Sequence, residues 1–222
     1  MDSTRPERLL GESDPWRGTV ITDVGARNPE PISDDPAVVR AVLAGDRDAF
    51  RVLVDRESAA VVRVCHRVLG DLGEAEDVAQ EAFVIAYRSL ATWRAEGPFG
   101  AWISRIAVRL AIRRATRHRT IGWAHPGPAG EDGRIHDPMA NLAAGTSSDP
   151  ESTTLRGERQ RAVRMAVAGL AEPYREVVAL RFFAERSLDE IATVTGRPLG
   201  TVKTHLHRGL LRLRGSLAEV EP

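Results

Sequence analysis

Residues 196–209, GRPLGTVKTHLHRG, bring together three glycines, a proline, a lysine and two histidines. Such residues can cradle a phosphate, bind a metal, or turn one helix into a nucleic-acid groove. A phosphate loop needs its lysine directly after the second glycine, so that backbone amides and ammonium converge on one anion. Here Lys203 lies three residues beyond Gly200 and no buried strand precedes the segment. His205 and His207 are two apart, which on a helix sets them roughly 200° apart around the axis, whereas shared ligation suits i, i+4 spacing. The third use fits. SLDE at 187–190 has capping-box spacing, with Ser187 as N-cap and Glu190 reaching back. It opens a helix that turns Leu188, Ile191, Ala192 and Val194 inward. Gly196 ends that helix in the left-handed conformation glycine tolerates, and Pro198 blocks its resumption. A second helix, starting at Gly200 or Thr201, buries Val202, Leu206, Leu210 and Leu213 and leaves Thr201, Lys203, Thr204, His207 and Arg208 outward. Two short helices across a glycine turn make a helix-turn-helix, whose second member lies in the major groove. An ordinary helical hairpin with a solvated basic face has the same local pattern.

A second set of chemically capable residues lies upstream. Arg105, Arg109, Arg113 and Arg117 recur every four residues, with Arg114 and His118 nearby. Aligned on one helix they repel one another in the free protein, and phosphates would relieve that repulsion. Counterion release from a single strand would then give a log–log salt slope of about −0.7 per contact. Glu74, Glu76, Asp77, Gln80 and Glu81 cluster at the start of another helix, a solvated face that the helix dipole favours. The single cysteine, Cys65 in VVRVCHRVL, excludes an internal disulfide and reads as a small buried hydrophobe. No metal set, cofactor motif or activated nucleophile is visible.

These groups must be held by helices. The 222 residues are 42% hydrophobic but only 5% aromatic. Alanine, valine, leucine and arginine dominate where strands would need β-branched and aromatic runs. The expectation is an all-α fold. No apolar run approaches the roughly 20 residues of a membrane span, and the acidic N-terminus lacks the basic-then-apolar order of a signal peptide. The expected location is the cytoplasm. The net charge of zero hides a local asymmetry: residues 1–40 carry eight acids against five arginines, 99–120 carry six arginines and no acid, and 155–214 carry twelve basic residues against six acids. Local basic stretches of this kind suit an anionic partner.

Along the chain, residues 1–36 lack apolar periodicity and read as a disordered acidic extension. Helical patterning begins in the segment 35–71, where Phe50, Leu53, Val54, Val61, Val64, Cys65, Val68 and Leu69 recur at three and four. A second helix from about Glu74 turns Val78, Ala82, Ile85 and Leu90 inward. A third carries the stripe Phe99, Trp102, Ile103, Ile106, Ala107 and Leu110. Residues 120–154, rich in Gly, Pro, Ser and Asp, read as a flexible linker too long for one compact domain. Two domains are expected, 37–119 and 155–222. Val163, Ala166, Val167 and Leu170 line a helix in the second, and Pro173 suits the first turn of the next.

The segment SLDEIATVTGRPLGTVKTHLHRGLLRLRGSL, with LAEPYREVVALRFF before it, resembles region 4 of extracytoplasmic-function (ECF) sigma factors. GEAEDVAQEAFVIAYRSLATWR and FGAWISRIAVRLAIRRATRHR resemble their region 2. The resemblance covers about 37–118 and 155–217, in family order. It implies a subunit that binds bacterial RNA polymerase core and directs promoter-specific initiation, without chemistry or a cofactor of its own. It implies core-polymerase contacts by Asp77, Gln80 and Glu81. It also implies capture of an unstacked minus-ten base by the loop WRAEGPFG, with Trp93, Phe99 and Trp102 as pocket walls and Arg105, Arg109, Arg113 and Arg117 on the strand; as members of the apolar stripe, Phe99 and Trp102 read equally well as core. Apolar stacking of this kind is commonly worth about 1–3 kcal/mol per base. Minus-thirty-five contacts fall to Thr201, Lys203, Thr204, His207 and Arg208. An anti-sigma factor is a further implied partner, and the linker acids Glu131, Asp132 and Asp137 suit a strand mimic inside the polymerase, although a flexible tether has the same composition. Arg109 and Arg113 stand where the family usually has asparagine and aspartate, and His205 where it often has arginine, so the resemblance leaves base preference at these positions open. A conventional helix-turn-helix regulator, acting on an operator without polymerase, is the main alternative; an enzyme would need a nucleophile or metal set.

Overall fold

In the computed structural model the described residues are 34–124 and 150–218, and they are helical with no strand among them. The first module comprises α1 (Asp35–Leu43), α2 (Arg47–Leu69), α3 (Leu72–Arg88), a 3-10 turn (Leu90–Thr92) and α4 (Phe99–Ala124). The second comprises α5 (Pro150–Gly169), α6 (Tyr174–Phe182), α7 (Leu188–Thr195) and α8 (Leu199–Ala218). The N-terminal extension and the linker acids Glu131, Asp132 and Asp137 lie outside the described residues.

The segment 35–71, one helical pattern in the sequence, is two helices. Gly45 sits at φ +106°, and Asp46 then caps α2, its Oδ1 accepting from the amides of Asp48 at 3.0 Å and Ala49 at 3.2 Å. Asp71 caps α3 in the same way, accepting from the Glu74 amide at 2.8 Å. Helices also intrude at both ends of the stretch read as a linker. Helix α4 runs on to Ala124, because the first proline after it is Pro126, and α5 starts at Pro150, a residue whose missing N–H costs nothing at a helix start.

Leu53, Val61, Cys65, Val78, Ala82, Phe99 and Ile103 form the core of the first module between α2, α3 and α4. Each buried Leu or Ile there contributes about 1.5–3 kcal/mol. Burial pushes the Cys65 thiol up to about 12, so it is a packed, unreactive group. Val177, Leu180, Ile191, Val202 and Leu206 build the second core under the helix-turn-helix. Gly209 is the close-approach point there, since a Cβ on it would lie 2.7 Å from Val178 Cγ2.

The modules are docked rather than merely tethered, and this changes the reading of α4. Phe99, Ile103 and Ala107 are buried as the stripe requires, but Trp102, Ile106 and Leu110 are only half-buried. Ala101, Ser104, Val108 and Ile112 are buried instead. The cause is a second packing partner, for α4 contacts α2 and α3 on one side and α6 and α7 on the other. A single-helix pattern cannot report two partners.

Candidate nucleic-acid and polymerase interfaces

On α3, Asp77, Gln80 and Glu81 are all exposed, and their spacing sets them on one helical face. Val84 continues that face, 44% exposed, although its type and position give no warning of this in the sequence beyond being out of phase with Val78 and Ala82. The result is an acidic patch with an apolar edge.

The loop 93–98 is built from local constraints. The Trp93 amide bonds the Leu90 carbonyl at 3.0 Å, and Ala95 occupies the left-handed region at φ +57°, a conformation that costs a residue with a Cβ about 1–2 kcal/mol. Trp93 and Trp102 are half-buried and both pack on Phe99, with ring centroids 6.2 Å and 5.6 Å away. Phe99 itself is fully buried. It therefore supports the two tryptophans from behind, in keeping with the core reading of this residue.

The four arginines of α4 divide into two pairs. Arg113 and Arg117 are exposed. Arg105 is drawn into the second module: its Nε donates to Glu176 Oε1 at 2.9 Å and its terminal nitrogen to the Val194 carbonyl at the end of α7. A helix C-terminus offers unpaired carbonyls and favours a cation. Arg109 also approaches Glu176, at 3.7 Å, and Arg197 donates to its other oxygen at 2.7 Å. Burial would raise the Glu176 carboxyl, but hydrogen bonds and charge from Arg105 and Arg197 outweigh it and hold its pKa below the ordinary value. The repulsion expected along α4 is thus relieved at Arg105 and Arg109 by an internal carboxylate. Between α4 and α6 a cleft of about 510 Å³ remains, lined by Arg109, Arg113, Arg117, Glu172, Arg175 and Glu176 among others.

Further bonds close the seam. Arg186 donates to Ser104 Oγ at 2.9 Å, and Arg67 donates to the Phe183 carbonyl at 3.0 Å and pairs with Glu185. Thr193 of α7 lies so near the loop that a Cβ on Gly97 would be 3.2 Å from it. Helix α7 therefore covers both the far end of the loop and Arg105.

The turn region forms as its local signals require. Ser187 Oγ accepts from the Glu190 amide at 3.1 Å and Glu190 Oε2 from the Ser187 amide at 2.8 Å. Gly196 has φ +66°. On α8, Lys203, Thr204, His207 and Arg208 are exposed and Thr201 is half-buried. Thr204 Oγ1 donates to the Gly200 carbonyl at 2.9 Å, which leaves its lone pairs to accept. His205 turns the other way, edge-on to Tyr174 at 5.6 Å. Burial, then the charges of Arg197 and Arg208, lower its pKa, and its ring packs on the second core. Among the described residues no group of three or more His, Cys, Asp or Glu could hold a metal, and no helix is long and apolar enough to cross a membrane.

A helix-turn-helix by itself defines only a DNA-binding protein. Here it is joined to a helical module with an arginine-rich helix behind a tryptophan-bearing loop and an acidic helix beside it. The chain matches the family models for Sigma-70 region 2 over residues 53–121 and Sigma-70 region 4 over 160–213. The ECF RNA polymerase sigma factor SigW of Bacillus subtilis is 33% identical over 182 residues, covering 82% of this chain and 96% of that protein. The ECF RNA polymerase sigma-E factor of Escherichia coli K12 is 31% identical over 178 residues, covering 78% and 89%. Among solved structures, that of CnrH in complex with the cytosolic domain of CnrY shares the fold, with a TM-score of 0.52 and 21% identity over 85% of this chain and 99% of that one. The chain belongs to the ECF sigma factors of bacterial RNA polymerase. Its function is that of the family: binding core polymerase and directing initiation at specific promoters.

Proposed function

We propose a division of that function among three surfaces. The acidic face of α3, with Asp77, Gln80, Glu81 and the apolar edge of Val84, docks on core polymerase. Loop 93–98 and α4 take the unwound minus-ten strand, with Trp93 and Trp102 receiving a base and Arg113, Arg117, then Arg109 and Arg105 receiving phosphates. Helix α8 enters the major groove of the minus-thirty-five duplex through Lys203, Thr204, His207 and Arg208, with Thr201 at the edge. The polymerase supplies the catalysis; this subunit supplies recognition and works in the cytoplasm, where core and promoter are found. An anti-sigma factor completes the partner set that the family implies.

The observation that carries this reading is one basic helix in each module, Arg113 and Arg117 on α4 and Lys203 and Arg208 on α8, all exposed. Phosphate contacts hold register while base-edge contacts specify, so two such surfaces on one chain suit a bipartite promoter. Run-off transcription with purified core tests it. A product that depends on both promoter elements is expected; a product indifferent to the minus-ten and minus-thirty-five sequences, with controls working, overturns the division.

A further inference from the structure

Helix α4 begins without a side-chain cap of its own. The residue before it is Pro98, whose carbonyl takes the amides of Ala101 at 3.1 Å and Trp102 at 3.3 Å, but whose side chain can accept nothing. The Phe99 amide at the first position is an orphan donor in a place where Phe99 and Gly100 are both buried. It is satisfied from a distance. Oδ2 of Asp35, 64 residues earlier, accepts that amide at 2.9 Å. Asp35 is 2% exposed, and its Oδ1 accepts from Arg56 on α2. The Arg56 Nε is in turn held by Glu57 at 2.9 Å. Glu57 closes the other side, since a Cβ on Gly100 would lie 2.6 Å from its Oε2. A buried carboxylate is costly unless paired, and this one is paired to a helix amide on one side and a guanidinium on the other.

The loop 93–98 hangs between two fixed points. One is the Trp93 amide on the Leu90 carbonyl; the other is the first turn of α4, where Asp35 holds the backbone. We propose that Asp35, oriented by Arg56, is a positioning residue for promoter melting: it fixes the start of α4 and the end of loop 93–98, so that Trp93 and Trp102 present one geometry to the captured base. It touches no DNA. This rests on the reading of loop 93–98 as the base-capture segment.

The test uses holoenzyme assembled from the full chain and core polymerase, probed with a single-stranded oligonucleotide carrying the minus-ten sequence of a promoter that the wild type transcribes. Loss of a helix cap corresponds to about fivefold to tenfold in an equilibrium constant. Asp35→Ala should weaken oligonucleotide binding by about that factor, while core affinity stays within about twofold. Asp35→Asn keeps an acceptor for the Phe99 amide and should lose only about twofold. Arg56→Gln leaves the carboxylate unsteered and should lose about threefold, which keeps the test decisive should Asp35→Ala fail to fold. Equal losses of oligonucleotide and core affinity across the variants mean a general structural role and overturn the proposal, as does unchanged oligonucleotide binding. Trp93→Ala runs in parallel. If it binds the strand normally, the loop reading itself fails; if it weakens binding while the Asp35 and Arg56 variants do not, only the positioning role fails.

Discussion

Arg105 on α4 and Glu176 on α6 join the two modules through a 2.9 Å ion pair whose carboxylate is almost completely buried. Glu176 also takes Arg197 and lies near Arg109, so a single carboxylate balances three guanidinium groups. Under the proposed reading of α4, a DNA phosphate at Arg105 would have to replace this carboxylate, and the closed arrangement and strand binding would draw on the same arginines.

The first prediction follows from that exchange. Glu176→Gln removes the charge but keeps the shape, leaving the arginines to repel. Because those arginines are partly exposed, the loss should be about 2 kcal/mol rather than the larger cost of a fully buried pair. Small-angle scattering of the free chain should show the variant expanded relative to the wild type. Acid tests the same contact. The Glu176 pKa is held low in the folded protein, so its stabilisation is complete above the ordinary glutamate value of about 4.3 and disappears as pH falls through the lower folded value. The wild type should expand in that acid range, and the variant should lack that step. Identical profiles for the two proteins would remove Glu176 from the seam.

Arg109 is exposed beside Trp102 and Ile106 on α4. Arg109→Asn should shift base preference at the minus-ten element more than it shifts core affinity. Initiation rates on a panel of minus-ten variants, measured before and after substitution, give the answer. Equal activity on every variant in both proteins refutes it.

Lys203 points away from the second core, next to Thr204 on the outward face of α8. Lys203→Ala should weaken holoenzyme binding to a promoter carrying the minus-thirty-five element. If its contact is to a phosphate, the salt slope should fall by about one with sequence preference kept; a base-edge contact would relax specificity at one position, costing about 1–3 kcal/mol. A titration across salt concentrations and minus-thirty-five variants separates these outcomes, and no change in either removes Lys203 from the interface.

Gly209 permits α8 to lie against α6. Gly209→Ala should overpack Val178, a stiff β-branched neighbour 2.7 Å from the new methyl. Overpacking typically costs about 1–3 kcal/mol, and the helix propensity of alanine returns up to about 1 kcal/mol. Thermal denaturation should show a net loss, with minus-thirty-five affinity of the folded fraction unchanged. A variant more stable than the wild type would place the two helices further apart than 2.7 Å implies.

The turn between α7 and α8 was fully legible because its signals are local: Ser187 and Glu190 are three residues apart, and Gly196 needs only its own backbone angle. The same holds for the outward face of α8, where Lys203, Thr204, His207 and Arg208 follow from the phase of Val202 and Leu206. On α4 local phase told only part of the packing. The stripe from Phe99 to Leu110 does lie on the core, but Ser104, Val108 and Ile112 are buried as well, towards the second module. An aromatic at a helix start such as Phe99 reads equally well as pocket wall or as core, and local sequence does not separate the two.

Sequence alone determined the all-helical class, the helix-turn-helix, the acidic and basic helical faces and the family to which they belong, because caps, helical periodicity and turn residues act over a few positions. Tertiary structure decided which charges are free and which are spent inside the molecule. Asp35 reaches Phe99 across 64 residues and Arg105 reaches Glu176 across 71, distances over which no periodicity carries information. Only the docking of one helix on another brings such groups within hydrogen-bonding range, and burial then makes each bond strong enough to fix the loop or close the seam.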